Sequence, residues 1–281
     1  MAKRALLIGI NRYRIPGADL RGCVNDVTNM QRVLVQFCGF RKSDIAVLTD
    51  FGATKKAMQS GIRSLVSSGR KGDVLLLHYS GHGANVPDAD GDEADRRDEI
   101  LCPTDLDWKD PLTDDWLRTT FDRLKAGVSL TVVMDCCHSG TNTRAPVAPD
   151  APSIPRYLPN PWDLVATESG RKLRGSVRAG MRASSKAARR RSDIVQVDIP
   201  EVLVTGCRDT QTSADAHIGG AFNGALTYSL AEAIRERKGE LSYRELHALT
   251  LARLKQGAFD QVPQLEGRKE NLGRAIFAPS I

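Results

Sequence analysis

The sequence of 281 residues lacks any apolar run near the roughly 18 residues that a membrane-spanning helix needs. It also shows no leader-like start, since the opening MAKRALLIGINRY passes directly into strand-like sequence. Its hydrophobic content of 41% is enough to bury a substantial core. We therefore expect a globular cytoplasmic protein without a membrane partner.

The sequence is also poor in cysteine, with six residues and no framework spacing between them. A chain of this size does not need disulfide bonds to hold its fold together. We expect reduced thiols, one of which could be reactive. The six are Cys23, Cys38, Cys102, Cys136, Cys137 and Cys207.

Positive charge is concentrated in one place. The net charge is +6, and much of the excess lies between Arg171 and Arg191. That segment has almost no aromatic residues and matches none of the standard nucleic-acid-binding modules. We read it as a solvated loop and expect no nucleic-acid partner.

Apolar runs of strand length alternate with helical patterns along the chain. The runs cover residues 5–10, 45–48, 74–79, 130–134 and 202–205. After each of the first two runs, apolar residues recur at helical spacing, which predicts a helix. Thr54 marks the start of the second of these helices, and Gly69 marks its end. This βαβα order predicts an α/β fold with a mainly parallel central sheet and right-handed crossovers.

The C-terminal part predicts two more helices. Leu226, Leu230 and Ile234 share one helix face, and Ser242 with Glu245 has the spacing of a capping box. Between strands and helices, residues 141 to about 198 are first proline-rich and then basic. We interpret this stretch as an insertion in a single domain covering residues 1–281, because strand sequence resumes at position 202 and no internal repeat appears.

Reactive side chains follow two of the predicted strands. The sequence HYSGHG covers residues 78–83, and DCCHSG covers residues 135–140. Because side chains alternate along a strand, Ser80 and His82 share one side of the first strand, and Asp135 and Cys137 share one side of the second. If the strands are neighbours, His82 faces Cys137 at the rim, with Ser80 and Asp135 one layer deeper.

A thiol beside an imidazole suits nucleophilic catalysis. A free thiol has a pKa of about 8.5, and a neighbouring imidazole can take its proton or stabilise the thiolate. Glycines around both residues allow backbone N–H groups to approach a developing oxyanion. Taken alone, each residue has a simpler explanation, because a buried cysteine is commonly an apolar filler and a lone histidine is commonly structural.

Several ordered motifs together resemble the metacaspase-like branch of the caspase fold, on its metacaspase or bacterial orthocaspase side. They are LRGCVNDVTNM (20–30), HYSGHG, DCCHSG, VLVTGCRDTQTSADA (202–216) and AFNGALTY (221–228). The resemblance implies a caspase-like three-layer sandwich with helices on both faces of the sheet. It implies a cysteine endopeptidase with Cys137 as nucleophile and His82 as catalytic histidine. The backbone N–H groups of Gly83 and Cys137 would hold the oxyanion.

The resemblance also implies cleavage after arginine or lysine in exposed parts of proteins and peptides. The specificity pocket maps onto Asp26, Ser80 and Asp135. Two carboxylates suit a guanidinium, which predicts a preference for arginine. The simpler explanation of Asp26 is a negative charge near a helix N-terminus.

No cofactor is required for this chemistry, but calcium could activate the enzyme. In residues 88–99, acidic side chains stand at the first, third, fifth and twelfth positions, as in the calcium-binding loop of an EF-hand. A true EF-hand is not expected, because Glu93 stands at the sixth position, where that loop has glycine. In calcium-dependent metacaspases, a site beside the core uses acids that match Asp98, Asp114 and Asp115. Arg144 stands where that family has a further aspartate, so calcium dependence stays open.

An arginine-rich loop in an arginine-cutting peptidase is a candidate for self-cleavage. The small residues around the basic cluster suit the exposure that cutting requires. The candidate bonds follow Arg144, Arg182, Lys186 or Arg191.

Two other classes of function are alternatives to a peptidase. A catalytically silent caspase-like interaction module would not need both His82 and Cys137. A metal or nucleic-acid protein fits poorly, because Cys136, Cys137 and His138 are adjacent and lack the ligand spacing typical of zinc. By resemblance to metacaspases, a monomer is expected.

Overall fold

The structure is a computed structural model that describes residues 1–87, 97–138, 153–162, 193–208 and 211–279. Its strands are β1 (Lys3–Gly9), β2 (Ile45–Thr49), β3 (Val74–Ser80), β4 (Gly83–Pro87), β5 (Arg97–Leu101), β6 (Leu112–Thr113), β7 (Ser129–Asp135), β8 (Ser153–Pro155), β9 (Ile194–Gln196), β10 (Val202–Thr205), β11 (Ala214–Ile218), β12 (Ala221–Gly224) and β13 (Gln264–Gly267). Its helices are α1 (Cys23–Phe37), α2 (Lys55–Ser68), α3 (Asp114–Phe121), α4 (Ala225–Glu236), α5 (Tyr243–Gln256) and α6 (Lys269–Leu272).

The central sheet contains the strands that the apolar runs predicted. Its order is β2-β1-β3-β7-β10-β13-β9, and the first five strands are parallel to one another. Strand β13 runs antiparallel to β10, and β9 pairs with β13. The prediction of a mainly parallel sheet is therefore confirmed.

Helices cover both faces of this sheet. In β1, Leu6 and Ile8 belong to one core cluster and Leu7 to the other, as alternation along a strand requires. One cluster includes apolar side chains of α2 and α3, and the other includes those of α1, α4 and α5. The three-layer α/β sandwich is confirmed.

The local signals in the sequence also match the helix ends. The hydroxyl of Thr54 accepts from the N–H of Ala57 at 3.2 Å and caps α2. Ser242 and Glu245 form the full capping box that starts α5. Within the described ranges, no helix has both the length and the apolar character needed to cross a membrane.

Two small sheets were not predicted. Strands β4, β5 and β6 form one, and β12, β11 and β8 form the other. Strands β8 and β9 both come from the segment that we interpreted as an insertion, so its described parts add to the sheets. Pro155 ends β8 at the edge of its sheet, which is where a strand tolerates proline.

Candidate active site

The two reactive motifs begin at adjacent strand ends. Strands β3 and β7 are neighbours, and Ser80 pairs with Asp135 at their last position. His82 and Cys137 each follow two residues later. All four residues are buried. The topology thus brings both motifs to one edge of the sheet, where α/β folds commonly place reactive groups.

Carboxylates line a closed pocket below this edge. Asp26, in the first turn of α1, accepts from the hydroxyl of Ser80 at 2.7 Å and from the N–H of Gly224 at 2.9 Å. Asp135 accepts from the hydroxyl of Ser213 and from that of Thr227, each at 2.7 Å. These bonds fix the orientation of both carboxylates.

An arginine of the chain itself occupies this pocket. Arg156 is fully buried, with 0% exposure. Its Nη2 lies 2.7 Å from Asp26, and its Nη1 lies 3.1 Å from Asp135 and donates to Ser80 at 2.8 Å. Burial, and to a smaller extent the charge of Asp135, raises the pKa of Asp26 to about 7, although the guanidinium of Arg156 acts in the opposite direction. The pocket has the charge and shape for a guanidinium.

A third carboxylate lies in the pocket, although sequence reasoning did not identify it. Asp215 Oδ1 is 3.5 Å from Nη2 of Arg156, and its other oxygen accepts from the N–H of Arg21 at 2.6 Å. Gly224 was also missed. A Cβ there would lie 2.3 Å from both Arg156 Nη1 and Asp135 Oδ2, so only glycine fits. Both residues lie within motifs that carried the family resemblance, which was the available signal.

The backbone of Arg156 meets the rim above the pocket. Its carbonyl oxygen accepts from the N–H of Gly83 at 3.0 Å and from the N–H of Cys137 at 3.2 Å. A Cβ on Gly83 would lie 2.2 Å from the carbonyl oxygen of Cys137, so glycine is needed for this close approach. Two converging N–H groups of this kind can stabilise an oxyanion.

The imidazole of His82 is held so that one nitrogen can act as a base. Nε2 lies 2.8 Å from the carbonyl oxygen of Ala18, and because a carbonyl only accepts, Nε2 carries the proton. Nδ1 is then an acceptor, and it is buried without a hydrogen-bond partner in the described part of the chain. Burial lowers the pKa of His82 to about 4, so the ring is neutral near pH 7.

Two tyrosines, also missed in the sequence, position His82. The hydroxyl of Tyr13 accepts from the N–H of His82 at 2.8 Å, and the two rings lie 5.0 Å apart. The hydroxyl of Tyr79 donates to the carbonyl oxygen of His82 at 2.6 Å. The backbone on both sides of the imidazole is therefore fixed.

In this structure, the hydrogen-bond partners of the Cys137 thiol are Ser213 and Cys207 rather than the imidazole of His82. The N–H of Ser213 donates to the sulfur of Cys137, and the sulfur of Cys207 lies 3.7 Å away. Burial, followed by the contact with Cys207, raises the pKa of the Cys137 thiol. The resting pair of Cys137 and His82 is thus uncharged.

Comparisons with known proteins identify the family of this chain. The sequence model of the metacaspase, peptidase C14 domain matches residues 3–146. Metacaspase-1B of Neosartorya fischeri is 34% identical, over 94% of this chain and 68% of its own. The chain belongs to the metacaspase family. Metacaspase-1 of Pyricularia oryzae is 33% identical, over 94% of this metacaspase and 71% of its own chain.

A solved structure resembles the whole metacaspase chain. The crystal structure of a Geobacter sulfurreducens protein superposes with a TM-score of 0.69 and 25% identity, covering 100% of both chains. Membership of the family makes this chain a cysteine-type peptidase, a hydrolase whose substrates are proteins.

Of the three predicted calcium ligands, one lies on the small sheet of β4, β5 and β6, and two lie in the helix that follows it. Asp98 is buried in β5, whereas Asp114 and Asp115 begin α3, where negative charge also favours a helix. Burial, and then the charges of Glu99 and Asp115, raise the pKa of Asp114. Oxygen ligands of this type suit calcium, but the described residues contain no cluster of three or more potential ligands. The assignment stays a prediction.

The predicted self-cleavage bonds lie outside the described residues. They follow Arg144, Arg182, Lys186 and Arg191, so these assignments also stay predictions. Beside Cys137, the residues Cys136 and His138 are both described, and their side chains approach each other to 3.5 Å. Neither side chain is among the contacts of the arginine pocket.

Proposed function

We propose that this metacaspase is an endopeptidase that cuts peptide bonds after arginine through Cys137 and His82. What supports the proposal is the way Arg156 is bound. Its guanidinium lies among carboxylates while its carbonyl oxygen accepts from two N–H groups at the same strand ends. A substrate arginine bound in this way would present its carbonyl carbon beside the Cys137 residue.

The pocket contacts favour arginine over lysine. Nη2 of Arg156 pairs with Asp26, and Nη1 bonds both Asp135 and Ser80. A guanidinium can reach both carboxylates at once because its nitrogens are spread in a plane, whereas lysine has a single ammonium nitrogen. We therefore expect lysine to be a poorer substrate, and aspartate, which would meet like charges, to be excluded.

The chemistry follows from the resting protonation states. Nδ1 of His82 accepts the thiol proton of Cys137, and the sulfur attacks the carbonyl carbon. The N–H groups of Gly83 and Cys137 stabilise the negative oxygen of the tetrahedral intermediate. The imidazolium protonates the leaving amine, and water then hydrolyses the thioester. A buried thiol and a buried imidazole favour their neutral forms, so substrate binding must promote the proton transfer.

A set of peptides that differ only in the residue before the bond tests the proposal. Hydrolysis of the arginine peptide should exceed that of the lysine peptide, and the aspartate peptide should stay intact. Each assay is run with and without calcium, which tests calcium as an activator, and with Cys137→Ala as the blank. Equal hydrolysis by wild type and Cys137→Ala would contradict the proposal.

We also propose that the protein is a monomer and that it is located in the cytoplasm, as expected from the sequence. Light scattering of the purified protein measures its mass in solution. A mass equal to one chain of 30.7 kDa supports a monomer, and twice that mass contradicts it. Cell fractionation with an antibody against the protein tests the location.

A further inference from the structure

Cys137 follows a strand whose two neighbours each lead to a further reactive side chain. Strand β7, which precedes Cys137, has β3 on one side and β10 on the other. The chain reaches His82 two residues after β3 ends, and it reaches Cys207 two residues after β10 ends. Because these strands are parallel, an imidazole, a thiol and a second thiol come to the same edge of the sheet.

The second thiol contacts the first directly. The sulfurs of Cys137 and Cys207 are 3.7 Å apart, and both residues are buried. A disulfide needs its sulfurs about 2.05 Å apart and its α-carbons roughly 4.4–6.8 Å apart. The spacing of about 4.8 Å between neighbouring strands falls inside that range. A bond therefore requires a small shift of the two sulfurs and no rearrangement of the sheet.

Packing explains a buried cysteine but not this contact. A cysteine often serves as a small apolar filler, and that role places no requirement on the group beside its sulfur. Beside the sulfur of Cys207 is the proposed nucleophile, whose own sulfur also accepts from the N–H of Ser213. Cys136 is similarly buried, and its sulfur approaches His138. Burial is thus common to these cysteines, whereas the direct sulfur contact with Cys137 is a feature of Cys207.

A cavity gives a small oxidant access to Cys207. Its volume is about 280 Å³, and Cys207 lines it together with Cys136, Met134 and Leu203. One water molecule occupies ~30 Å³ in the liquid, so hydrogen peroxide, with two oxygen atoms, fits in this space. Oxidation can therefore begin at Cys207 and then involve Cys137.

We propose that Cys137 and Cys207 form a reversible disulfide when the protein meets a peroxide, and that this bond switches the peptidase off. Formation of the bond is a property of the two thiols and does not depend on the proposed function. The loss of activity does rest on that function, because Cys137 is its nucleophile. The bond also protects Cys137, since thiols reduce a disulfide but do not reverse a sulfinic or sulfonic acid.

Hydrogen peroxide is the oxidant, and each of two steps releases one water molecule. The sulfur of Cys207 bonds to one peroxide oxygen, the O–O bond breaks, and the departing hydroxide takes the thiol proton. The product is a sulfenic acid, which condenses with a thiol. The sulfur of Cys137 then bonds to the sulfur of Cys207, and the hydroxyl group leaves with the Cys137 thiol proton as water. Two thiols are oxidised, and one peroxide is reduced.

Mass spectrometry of the full chain after treatment with hydrogen peroxide tests the inference. Remaining thiols are blocked with N-ethylmaleimide, and the protein is digested without reduction. Wild type should yield two peptides joined through Cys137 and Cys207, and dithiothreitol should separate them by thiol–disulfide exchange. Cys136→Ala should yield the same pair, and it leaves a single thiol beside Asp135, which makes the assignment unambiguous. A bond between Cys136 and Cys207, or oxidation without a disulfide at Cys137, overturns the inference.

Recovery of activity separates a disulfide from direct oxidation of the nucleophile. Hydrolysis of an arginine peptide is measured before peroxide, after prolonged peroxide and after dithiothreitol, relative to the starting rate of each protein. Wild type should lose activity in step with disulfide formation and then regain it. Cys207→Ala should lose activity without regaining it, because Cys137 then passes to the sulfinic acid. Equal recovery in both proteins overturns the inference.

Circular dichroism establishes that Cys207→Ala is folded. If it is not, the joined peptides of wild type and of Cys136→Ala still decide, since neither measurement uses that variant.

The outcomes distinguish the inference from the function on which its effect on activity rests. If no disulfide forms at Cys137 in a protein that hydrolyses the arginine peptide, the inference is overturned and the proposed function stands. If the disulfide forms completely while hydrolysis persists, the assignment of Cys137 as nucleophile fails and the disulfide stands. If wild type hydrolyses no peptide at any stage, the proposed function fails, and the joined peptides alone decide whether the two thiols form the bond.

Discussion

The arginine pocket and the proposed catalytic pair of Cys137 and His82 lie at the same edge of the central sheet, yet they differ in how far the resting structure prepares them for their roles. In the pocket, Asp26, Ser80 and Asp135 all contact Arg156. In the catalytic pair, His82 bonds to a backbone carbonyl, and the thiol of Cys137 contacts Ser213 and Cys207. Recognition is assembled in the resting fold, whereas the chemistry still requires a proton transfer.

Burial explains the difference. A buried carboxylate must be paired, because an isolated charge in the protein interior costs several kcal/mol, on the order of 5. A thiol and an imidazole can both be buried in neutral form at a much smaller cost. The pocket therefore favours a bound cation, and in this structure that cation is the guanidinium of Arg156. The catalytic pair tolerates an inactive state.

The largest effect should come from the catalytic pair. Cys137→Ala removes the proposed nucleophile, so kcat for an arginine peptide should fall by at least ~10³-fold, with the fold unchanged. Cys136→Ala is the matched control, since it removes a neighbouring buried thiol outside the pocket. Steady-state kinetics measure both. A greater loss in Cys136→Ala than in Cys137→Ala would reverse the assignment.

The next effect should come from the pocket. Asp135→Asn removes one charge facing the guanidinium, and breaking a buried pair costs about 3–5 kcal/mol. We expect kcat/KM for arginine peptides to fall by ~10²–10³-fold, since each ~1.4 kcal/mol is a factor of ten. Asp44→Asn removes a carboxylate of the exposed pair with Arg41 and should change little. An equal loss in both variants would argue against a specific role for Asp135.

A smaller effect should follow from filling the pocket without changing its charge. Gly224→Ala places a methyl group 2.3 Å from Arg156 Nη1 and from Asp135 Oδ2. We expect KM for arginine peptides to rise by roughly tenfold, because overpacking costs about 1–3 kcal/mol. Gly52→Ala is the control, since its Cβ would meet no atom within 4 Å. An unchanged KM in Gly224→Ala would mean that the pocket adapts.

The smallest effect should be the change of the unfolding free energy with pH that results from the neutral state of His82. Burial lowers the pKa of His82 to about 4 from 6.5, so the unfolded chain binds more protons between these pH values. The free energy of unfolding should therefore decrease as pH falls through this window, by up to ~1.4 kcal/mol per pH unit. Denaturant titrations at several pH values measure it.

A variant separates His82 from a second histidine. Burial also lowers the pKa of His78 to about 4, so His78 contributes in the same direction. In His82→Gln, the part of the pH dependence of the unfolding free energy that comes from protonation of His82 should disappear. The part that comes from protonation of His78 should stay. An identical pH dependence in wild type and His82→Gln would mean that His82 is not held neutral by the fold.

Local sequence patterns were sufficient for much of the fold. The five apolar runs became strands of the central sheet, and the capping signals at Thr54 and Ser242 mark helix starts. These features depend on residues near one another in the chain, so periodicity and capping chemistry reveal them. The same alternation indicated that Ser80 and Asp135 would share a layer, and the strands pair at those residues.

Arg156 and Asp215 could not be found in this way. Arg156 lies in a proline-rich stretch, which predicts a loop, and it meets Asp26 and Asp135 only after distant segments pack together. Asp215 lies in β11, a strand of one of the small sheets that the sequence did not predict. Nothing in the local composition distinguishes this arginine from the basic residues farther along the chain.

The sequence by itself determined the α/β order, the helix ends and the two motifs that follow predicted strands, and the structure showed that these strands are neighbours. It did so because each depends on short-range periodicity or on the resemblance of whole motifs. Only the tertiary structure decided which arginine enters the pocket and where the thiol and imidazole rest. Those outcomes depend on ion pairs and hydrogen bonds between groups from distant parts of the chain, and such contacts leave no periodic signal.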